Sequence, residues 1–152
     1  MEEKEILELS EKSVELLSQR KFSEFRSILS QLVPADIALM MESVPEEWKF
    51  LFFRILPKET AAETFVYLDN DMQKSLIQAF SDSELRQMID ELYLDDAVDL
   101  IEEMPANVVK RILRNSSADM RKQINEILKY PKDSAGSIMT TEYVDLKRYM
   151  TV

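Results

Sequence analysis

Carboxylates crowd segment 94–103 at a spacing that suits either a metal ion or a helix end. Asp95 and Asp99 are four residues apart, as are Asp99 and Glu103, so in a helix they share one face. Mg²⁺ binds through one or two carboxylates and keeps several waters, so such a face could hold a hydrated Mg²⁺. Alternatively, Asp95 or Asp96 caps a helix N-terminus by accepting backbone N–H bonds. The two roles can coexist, and both stay open.

Composition restricts the other chemistry. The 152 residues include no cysteine and no histidine, which excludes disulfides, thiolate or imidazole ligands and most zinc sites. A metal must be held by oxygen, which favours Mg²⁺, Ca²⁺ or Mn²⁺. One glycine is too few for a phosphate loop, and no nucleophile–base pair other than Ser–Lys can be assembled, so we expect no enzyme. Glu63 by itself is an ordinary surface glutamate.

Charge is unevenly distributed along the chain, whose net charge is −10. Segment 82–103 holds nine acidic residues and one basic residue, whereas segment 107–132 holds seven basic and two acidic residues. Such polarity indicates electrostatic partners. The acidic half argues against nucleic acid, because phosphate contacts need Lys and Arg. For the basic segment we favour a solvated face over an acidic partner or lipid headgroups.

A repeat of twelve residues positions these side chains. Two apolar series recur at this interval, three residues out of step with each other. They are Leu32, Val44, Leu56, Leu68, Phe80, Leu92 and Met104, and then Leu29, Met41, Phe53, Phe65, Ile77, Ile89, Ile101 and Leu113. At 45% apolar composition about seven of the fifteen positions would be apolar by chance. Pro45, Pro57 and Pro105 each follow a member of the first series, where helices end or begin.

The repeat predicts an all-α fold. Each unit is interpreted as a helix of about two turns plus a tight connection, and helices that short must stack on their neighbours. We predict a right-handed superhelix (α-solenoid) of short antiparallel helices with ~12-residue half-repeats over residues 23–130, after a longer capping helix over residues 4–19. The twelve-residue apolar period is interrupted after Leu113, where Ser116 occupies a position that is apolar in the earlier units. The aromatic cluster at 48–53 is expected to be core.

The helical pattern breaks at the only glycine, Gly136. A chain with one glycine is expected to place it where the backbone must turn freely, and a β-like run follows at 143–146. The break indicates a junction between two modules. Residues 1–130 form the helical domain, and residues 131–152 form a short non-helical tail.

The chain is expected to be soluble and cytoplasmic. Its N-terminus has no basic region leading into an apolar stretch, and its longest apolar runs are too short to cross a bilayer. This expectation includes the soluble part of a membrane protein.

The junction resembles that of a known family. The run Tyr130-Pro131-x-Asp133-Ser134-Ala135-Gly136-x-x-Met139-Thr140-x-Glu142-Tyr143-Val144 is similar to the junction between the helical N domain and the CBS-domain pair of MgtE-type magnesium transporters. Upstream, Leu56-Pro57-Lys58 with Ala61-Ala62-Glu63, and Leu94-Asp95-Asp96 with Asp99, resemble that N domain. Residues 131–152 would then be the linker and the truncated beginning of a CBS domain.

The resemblance implies a regulatory role. The chain would be a cytosolic Mg²⁺-sensing domain whose partners are the CBS-domain pair and the transmembrane pore of the same protein, in a homodimer, with no membrane insertion of this segment. In that family Mg²⁺ bridges acidic residues of the N and CBS domains, and the pore closes. The matching positions here are Glu63 and Asp95, with Asp99 and the adjacent Asp96 as further candidates. Mg²⁺ binding is expected to be weak, because the sites are shared with the CBS domains.

A second function class stays open. The flagellar motor protein FliG carries a similar helical fold, and a FliG-like scaffold would bind protein partners without a metal. An effect of Mg²⁺ on domain contacts would separate the two hypotheses.

Overall fold

The computed structural model describes residues 3–131 and 134–139. Over these residues the chain forms ten helices and no strand, which confirms the predicted all-α class. The helices are α1 (Glu3–Ser18), α2 (Phe22–Leu29), α3 (Pro34–Ser43), α4 (Glu46–Ile55), α5 (Lys58–Tyr67), α6 (Asn70–Ala79), α7 (Asp82–Glu91), α8 (Leu94–Glu103), α9 (Ala106–Asn115) and α10 (Ala118–Ile127). The superhelical hand and the antiparallel arrangement stay predictions.

The helices follow the twelve-residue period closely. Each helix from α3 to α10 is ten residues long, and each begins twelve residues after the start of the one before it. Ten residues make nearly three turns, or about 15 Å, so the expected length of about two turns is wrong by almost one turn. The connection takes only two residues, such as Val44 and Pro45, whose extended backbones have ψ of 138° and 144°.

The first apolar series supplies the residues at which the helices end. Its buried C-cap members are Val44, Leu56, Leu68, Phe80, Leu92 and Met104. The second series lies three residues earlier, and its members from Leu29 to Ile101 are also buried. Each helix therefore buries the apolar side of its C-terminal half. The main packing is between alternate helices, with α1, α3, α5, α7 and α9 in contact one after another.

The aromatic cluster belongs to this core, as expected. Phe52 and Phe53 are buried, whereas Trp48 and Phe50 of the same helix are half-buried. The Phe52 ring meets Phe25 edge to face, with the ring centroids 4.8 Å apart. Such edge-on pairs add to the free energy of burying aromatic area.

Prolines and polar caps begin the helices. Pro45, Pro57 and Pro105 are N-cap residues, in agreement with the phase that the sequence indicated. The polar N-caps Asp69, Ser81 and Ser117 accept hydrogen bonds from backbone N–H groups in the first turn of their helices. Ser81 and Glu84 form a reciprocal capping box, which satisfies two N–H groups at once. The hydrogen bond from the Ser81 backbone is the main cause of a lowered pKa at Glu84.

The predicted interruption of the apolar period after Leu113 is a rotation of the buried face, not a shift of the helices. Ser116 is the C-cap of α9, and α10 begins on schedule two residues later. The buried residues of α9 now include Ile112 and Asn115, and those of α10 are Ile124 and Ile127. Ser116 is itself buried, and its hydroxyl donates to the Ile112 carbonyl at 2.8 Å, so no apolar residue is needed there.

Side chains of the following helix bind the carbonyls left free at helix ends. The Gln73 amide of α6 donates to the Phe65 carbonyl of α5 at 2.9 Å. The Arg121 guanidinium of α10 donates to the Leu113 carbonyl at 2.9 Å and to the Ser116 carbonyl at 3.1 Å. Gln73 and Arg121 are 48 positions apart, which is four repeat units, so they occupy the same phase. The last carbonyls of a helix have no i+4 donor within the helix. The Arg121 contacts supply a donor at Leu113 and Ser116, whereas the Phe65 carbonyl also accepts from the Leu68 backbone N–H at 3.2 Å.

Arg111 of α9 ties three helices together. Its guanidinium donates to the carbonyls of Ile77 and Phe80 at the end of α6 and to the Asp82 carboxylate, 3.2 Å away, at the start of α7. Arg114 also approaches Asp82, at 3.6 Å. Part of the basic segment is therefore engaged within the fold, which corrects the expectation of a solvated face for Arg111.

The only glycine does not serve the purpose expected of it. Gly136 has no positive φ, so backbone freedom is not what the position requires. A Cβ added there would lie 2.4 Å from the Cδ1 atom of Tyr130, so the residue is small because an aromatic ring approaches it. The predicted β-like run at 143–146 lies outside the described residues, as do Lys132, Asp133 and Thr140.

Replacing Arg111 by Met should lower the free energy of unfolding by about 2 kcal/mol, because two helix-end carbonyls lose a charged donor. Urea unfolding followed by far-UV circular dichroism measures the change. Lys110→Met removes the same charge from an exposed position of the same helix and should cost less than about 0.5 kcal/mol. Equal stability of the two variants would contradict the stabilising role of Arg111.

Candidate metal-binding face

The predicted site residues lie on two helices. Glu63 is exposed in the middle of α5. Asp95 and Asp96 are half-buried in the first turn of α8, and Asp99 is exposed one turn later.

The structure brings Glu63 and Asp96 to one surface pocket, although 33 positions separate them in the sequence. Glu91, at the end of α7, is a third carboxylate on its lining. Tyr67 and Tyr93 line the same pocket, with 60% and 62% of their surfaces exposed. The pocket therefore combines carboxylates from three helices with two accessible aromatic rings.

Asp96 also lines a second pocket, which it shares with Asp99 and Glu103. Gln73, held by its hydrogen bond to Phe65, forms part of that lining. Asp96 is thus the one carboxylate common to both pockets, which also share Val66 and Leu92, whereas Asp95 lines neither of them. We refer to the carboxylates of the two pockets as the acidic face, namely Glu63, Glu91, Asp96, Asp99 and Glu103.

The acidic face does not form a complete metal site. Within residues 3–131 and 134–139, no three acidic side chains converge closely enough to hold a metal ion. Mg²⁺ needs near-octahedral geometry and retains waters, so a surface of this kind can offer one or two carboxylates and leaves the remaining positions to other ligands.

The alternative of N-terminal capping is only partly correct. The N-cap of α8 is Tyr93, whose side chain makes no capping hydrogen bond, so neither Asp95 nor Asp96 is the N-cap residue. Both carboxylates lie in the first turn, where they complement the positive end of the helix dipole. This electrostatic role is compatible with a metal at the same surface.

Sequence reasoning missed Glu91, Tyr67 and Tyr93. Tyr67 and Glu91 each precede a C-cap residue and are 24 positions apart, which is two repeat units. Tyr93 is the N-cap that follows. Exposed residues beside the two-residue connections therefore come together on one side, and the phase of the repeat could have found them.

The sequence of residues 32–133 matches the family described as the MgtE intracellular N domain. The chain belongs to this family. The match confirms the resemblance to the MgtE N domain that the helical motifs indicated, and with it the expected intracellular location. In the part of the chain that the structure describes, no helix is long and apolar enough to cross a membrane.

Relatives of this MgtE N domain are named as magnesium transporters. The chain is 29% identical, over its whole length, to the magnesium transporter MgtE of Thermus thermophilus. It is 26% identical, over 90% of its length, to the magnesium transporter MgtE of Bacillus subtilis. It spans 34% and 30% of these two proteins, or about a third of their length.

Two solved structures are similar to this domain. One is the soluble part of a magnesium transporter, with a TM-score of 0.80 and 26% identity over 91% of this chain and 55% of that one. The other is the cytosolic domain of the Mg²⁺ channel MgtE in complex with ATP, with a TM-score of 0.77 and 26% identity over 89% of this chain and 56% of that one.

Asp99 is the electrostatically strained member of the acidic face of this MgtE N domain. Although the residue is exposed, partial desolvation of its carboxylate raises its pKa, and repulsion from Glu102, Asp95 and Glu103 raises it further. The folded state therefore holds a proton on Asp99 more strongly than the unfolded state does. It follows that ionised Asp99 opposes folding at neutral pH, and that this cost disappears as the pH falls through the raised pKa.

Asp99→Asn should raise the thermal midpoint at pH 7 by about 1 °C, because it removes repulsion between like charges on one helix. The gain should vanish in acid, where the wild-type carboxylate is protonated in both states. Thermal unfolding across the acidic pH range measures this dependence. Asp99→Glu keeps the charge and should behave like the wild type, and a pH-independent gain in Asp99→Asn would contradict the electrostatic explanation.

Proposed function

We propose that this domain is the regulatory, Mg²⁺-sensing arm of an MgtE-type magnesium transporter, and that Mg²⁺ held between its acidic face and a CBS-domain pair closes the pore. The observation that carries the proposal is the acidic face itself. Carboxylates from α5, α7 and α8 gather at two adjoining pockets, yet no three of them form a metal site within the described residues. Such a surface suits one half of a site that a second acidic surface completes.

The charge on this face supports a cation bridge. Within the described part of the chain, no ion pair neutralises Glu63, Glu91 or Asp99. The nearby basic helix does not compensate for them, since Arg111 and Arg114 approach Asp82 instead. The local excess of negative charge is therefore available to a mobile cation.

The proposed switch needs only a difference in Mg²⁺ affinity between two arrangements of the domains. At low Mg²⁺ the two acidic surfaces repel each other and the domains separate, so the pore can open. At high Mg²⁺ the ions bind the compact arrangement more tightly and shift the population towards it. Few protein ligands and many retained waters make each site weak, which suits a sensor of an abundant ion.

The remaining parts of the mechanism come from the resemblance and from the relatives. Relatives about three times as long as this chain are magnesium transporters, so we infer that the pore belongs to the same protein. We assign residues 1–130 to the N domain and residues 131–152 to the linker and the beginning of the first CBS domain. We also infer a homodimer, as the family resemblance implies.

The test is protease protection of the full-length protein, with Mg²⁺ titrated at constant ionic strength. Mg²⁺ should slow tryptic cleavage near Lys129 and Lys132, because closure of the domains shields the junction. The double variant Glu63→Gln/Asp96→Asn should require about tenfold more Mg²⁺ for half-protection, since it removes ligands from the pocket that both residues line. Asp95 lines neither pocket, so Asp95→Asn should shift the midpoint only about twofold, through the loss of one negative charge near the face.

Glu11→Gln is the matched control, because it removes one carboxylate from an exposed position of α1 outside both pockets. Its midpoint should equal that of the wild type. An unchanged midpoint in the double variant would contradict a role of the acidic face in sensing. Domain contacts that form equally well without Mg²⁺ would favour the FliG-like scaffold.

A further inference from the structure

The segment 134–139 folds back on the end of α10 as a compact turn. The Ser134 backbone N–H donates to the Pro131 carbonyl at 3.1 Å, and the Ser137 N–H donates to the Ser134 carbonyl at 3.1 Å. The Ser137 hydroxyl donates to the same carbonyl at 2.8 Å. Met139, at the end of the turn, lines a pocket together with Tyr130 and residues of α10. The turn is therefore closed by its own hydrogen bonds and also contacts the helix.

Gly136 brings the backbone of this turn directly against the Tyr130 ring. A Cβ at Gly136 would lie 2.4 Å from Cδ1, 2.6 Å from Cγ and 2.9 Å from Cε1 of Tyr130. Cγ is the ring atom joined to the side-chain stem, so the clash cannot be relieved by moving only the far end of the ring. Either the whole Tyr130 side chain must change rotamer or the turn must move away.

Tyr130 is well placed to act as a stop. Its backbone N–H donates to the Ile127 carbonyl at 3.0 Å, which fixes the residue to the last turn of α10. The Tyr130 ring is therefore attached to the end of α10, whereas Gly136 belongs to the turn that follows the helix.

We propose that the Tyr130–Gly136 contact is a steric stop that fixes the position of the turn at residues 134–139 relative to the end of α10. The stop holds this turn against Tyr130 and the last turn of the helix. The device depends on shape alone, so it acts with or without a metal ion and does not rest on the proposed function.

A double-mutant cycle on the full chain tests the stop. Gly136→Ala should accelerate amide hydrogen exchange at Ser137 about tenfold, because the displaced turn loses its closing hydrogen bond. In a Tyr130→Ala background the same substitution should accelerate exchange less than about twofold, because the atoms that the new methyl group would meet are gone. Exchange at Ile124, in the core of α10, should stay unchanged in every variant and separates a local change from unfolding.

Ala135→Ser is the matched control, since it adds one heavy atom at the adjacent exposed residue. It should leave Ser137 exchange within about twofold of the wild type. If Gly136→Ala changes nothing, the ring does not restrain the turn and the proposal is wrong. If it accelerates exchange equally in both backgrounds, the glycine serves the backbone and not the contact, and the proposal is again wrong.

Discussion

The fold depends on the burial of one apolar stripe in each ten-residue helix. A helix of that length is marginal by itself in water, so its stability must come from packing. The stripe includes the residue at which the helix ends, where glycine in a left-handed conformation would be common. From α3 to α8 the C-caps are extended and apolar, as at Leu68 and Leu92. Burial of these side chains anchors each connection, and this explains how a repeat of short helices can be built with a single glycine.

Burial of the apolar stripes also determines which charged side chains remain accessible. With the apolar stripes turned inward, most carboxylates of α7 and α8, such as Glu91 and Asp99, are exposed to solvent. Not all basic side chains of α9 and α10 remain free, because Arg111 and Arg121 donate hydrogen bonds to helix-end carbonyls. Within the described residues, no ion pair neutralises Glu63, Glu91 or Asp99, whereas two arginines of the basic segment are engaged by helix-end carbonyls. The proposed cation-dependent contact between domains rests on this imbalance.

Much of this architecture could be predicted from the sequence, because period and proline phase report directly on where helices end. The C-cap positions from Val44 to Met104 follow from the first apolar series alone. The repeat underestimates the helix length, because the polar residues of a first turn resemble those of a connection. That Glu63 and Asp96 line one pocket could not be predicted, because it depends on where α5 and α8 lie in the fold. Nor could the reason for Gly136, which is the position of a ring six residues away.

The two-residue connections are too short to absorb an inserted residue, and this constrains how such a domain can change in evolution. A single inserted residue within a helix turns everything after it by about 100°, which moves an apolar stripe out of the core. Most folds tolerate insertions in their surface loops, but this domain has few loops that could accept one. Viable changes of length in the repeat should come as whole units, and twenty-four residues is the smallest insertion that keeps the contacts between alternate helices in step. The length of the domain is therefore expected to change only by whole repeat units, and its sequence to change almost entirely by substitution.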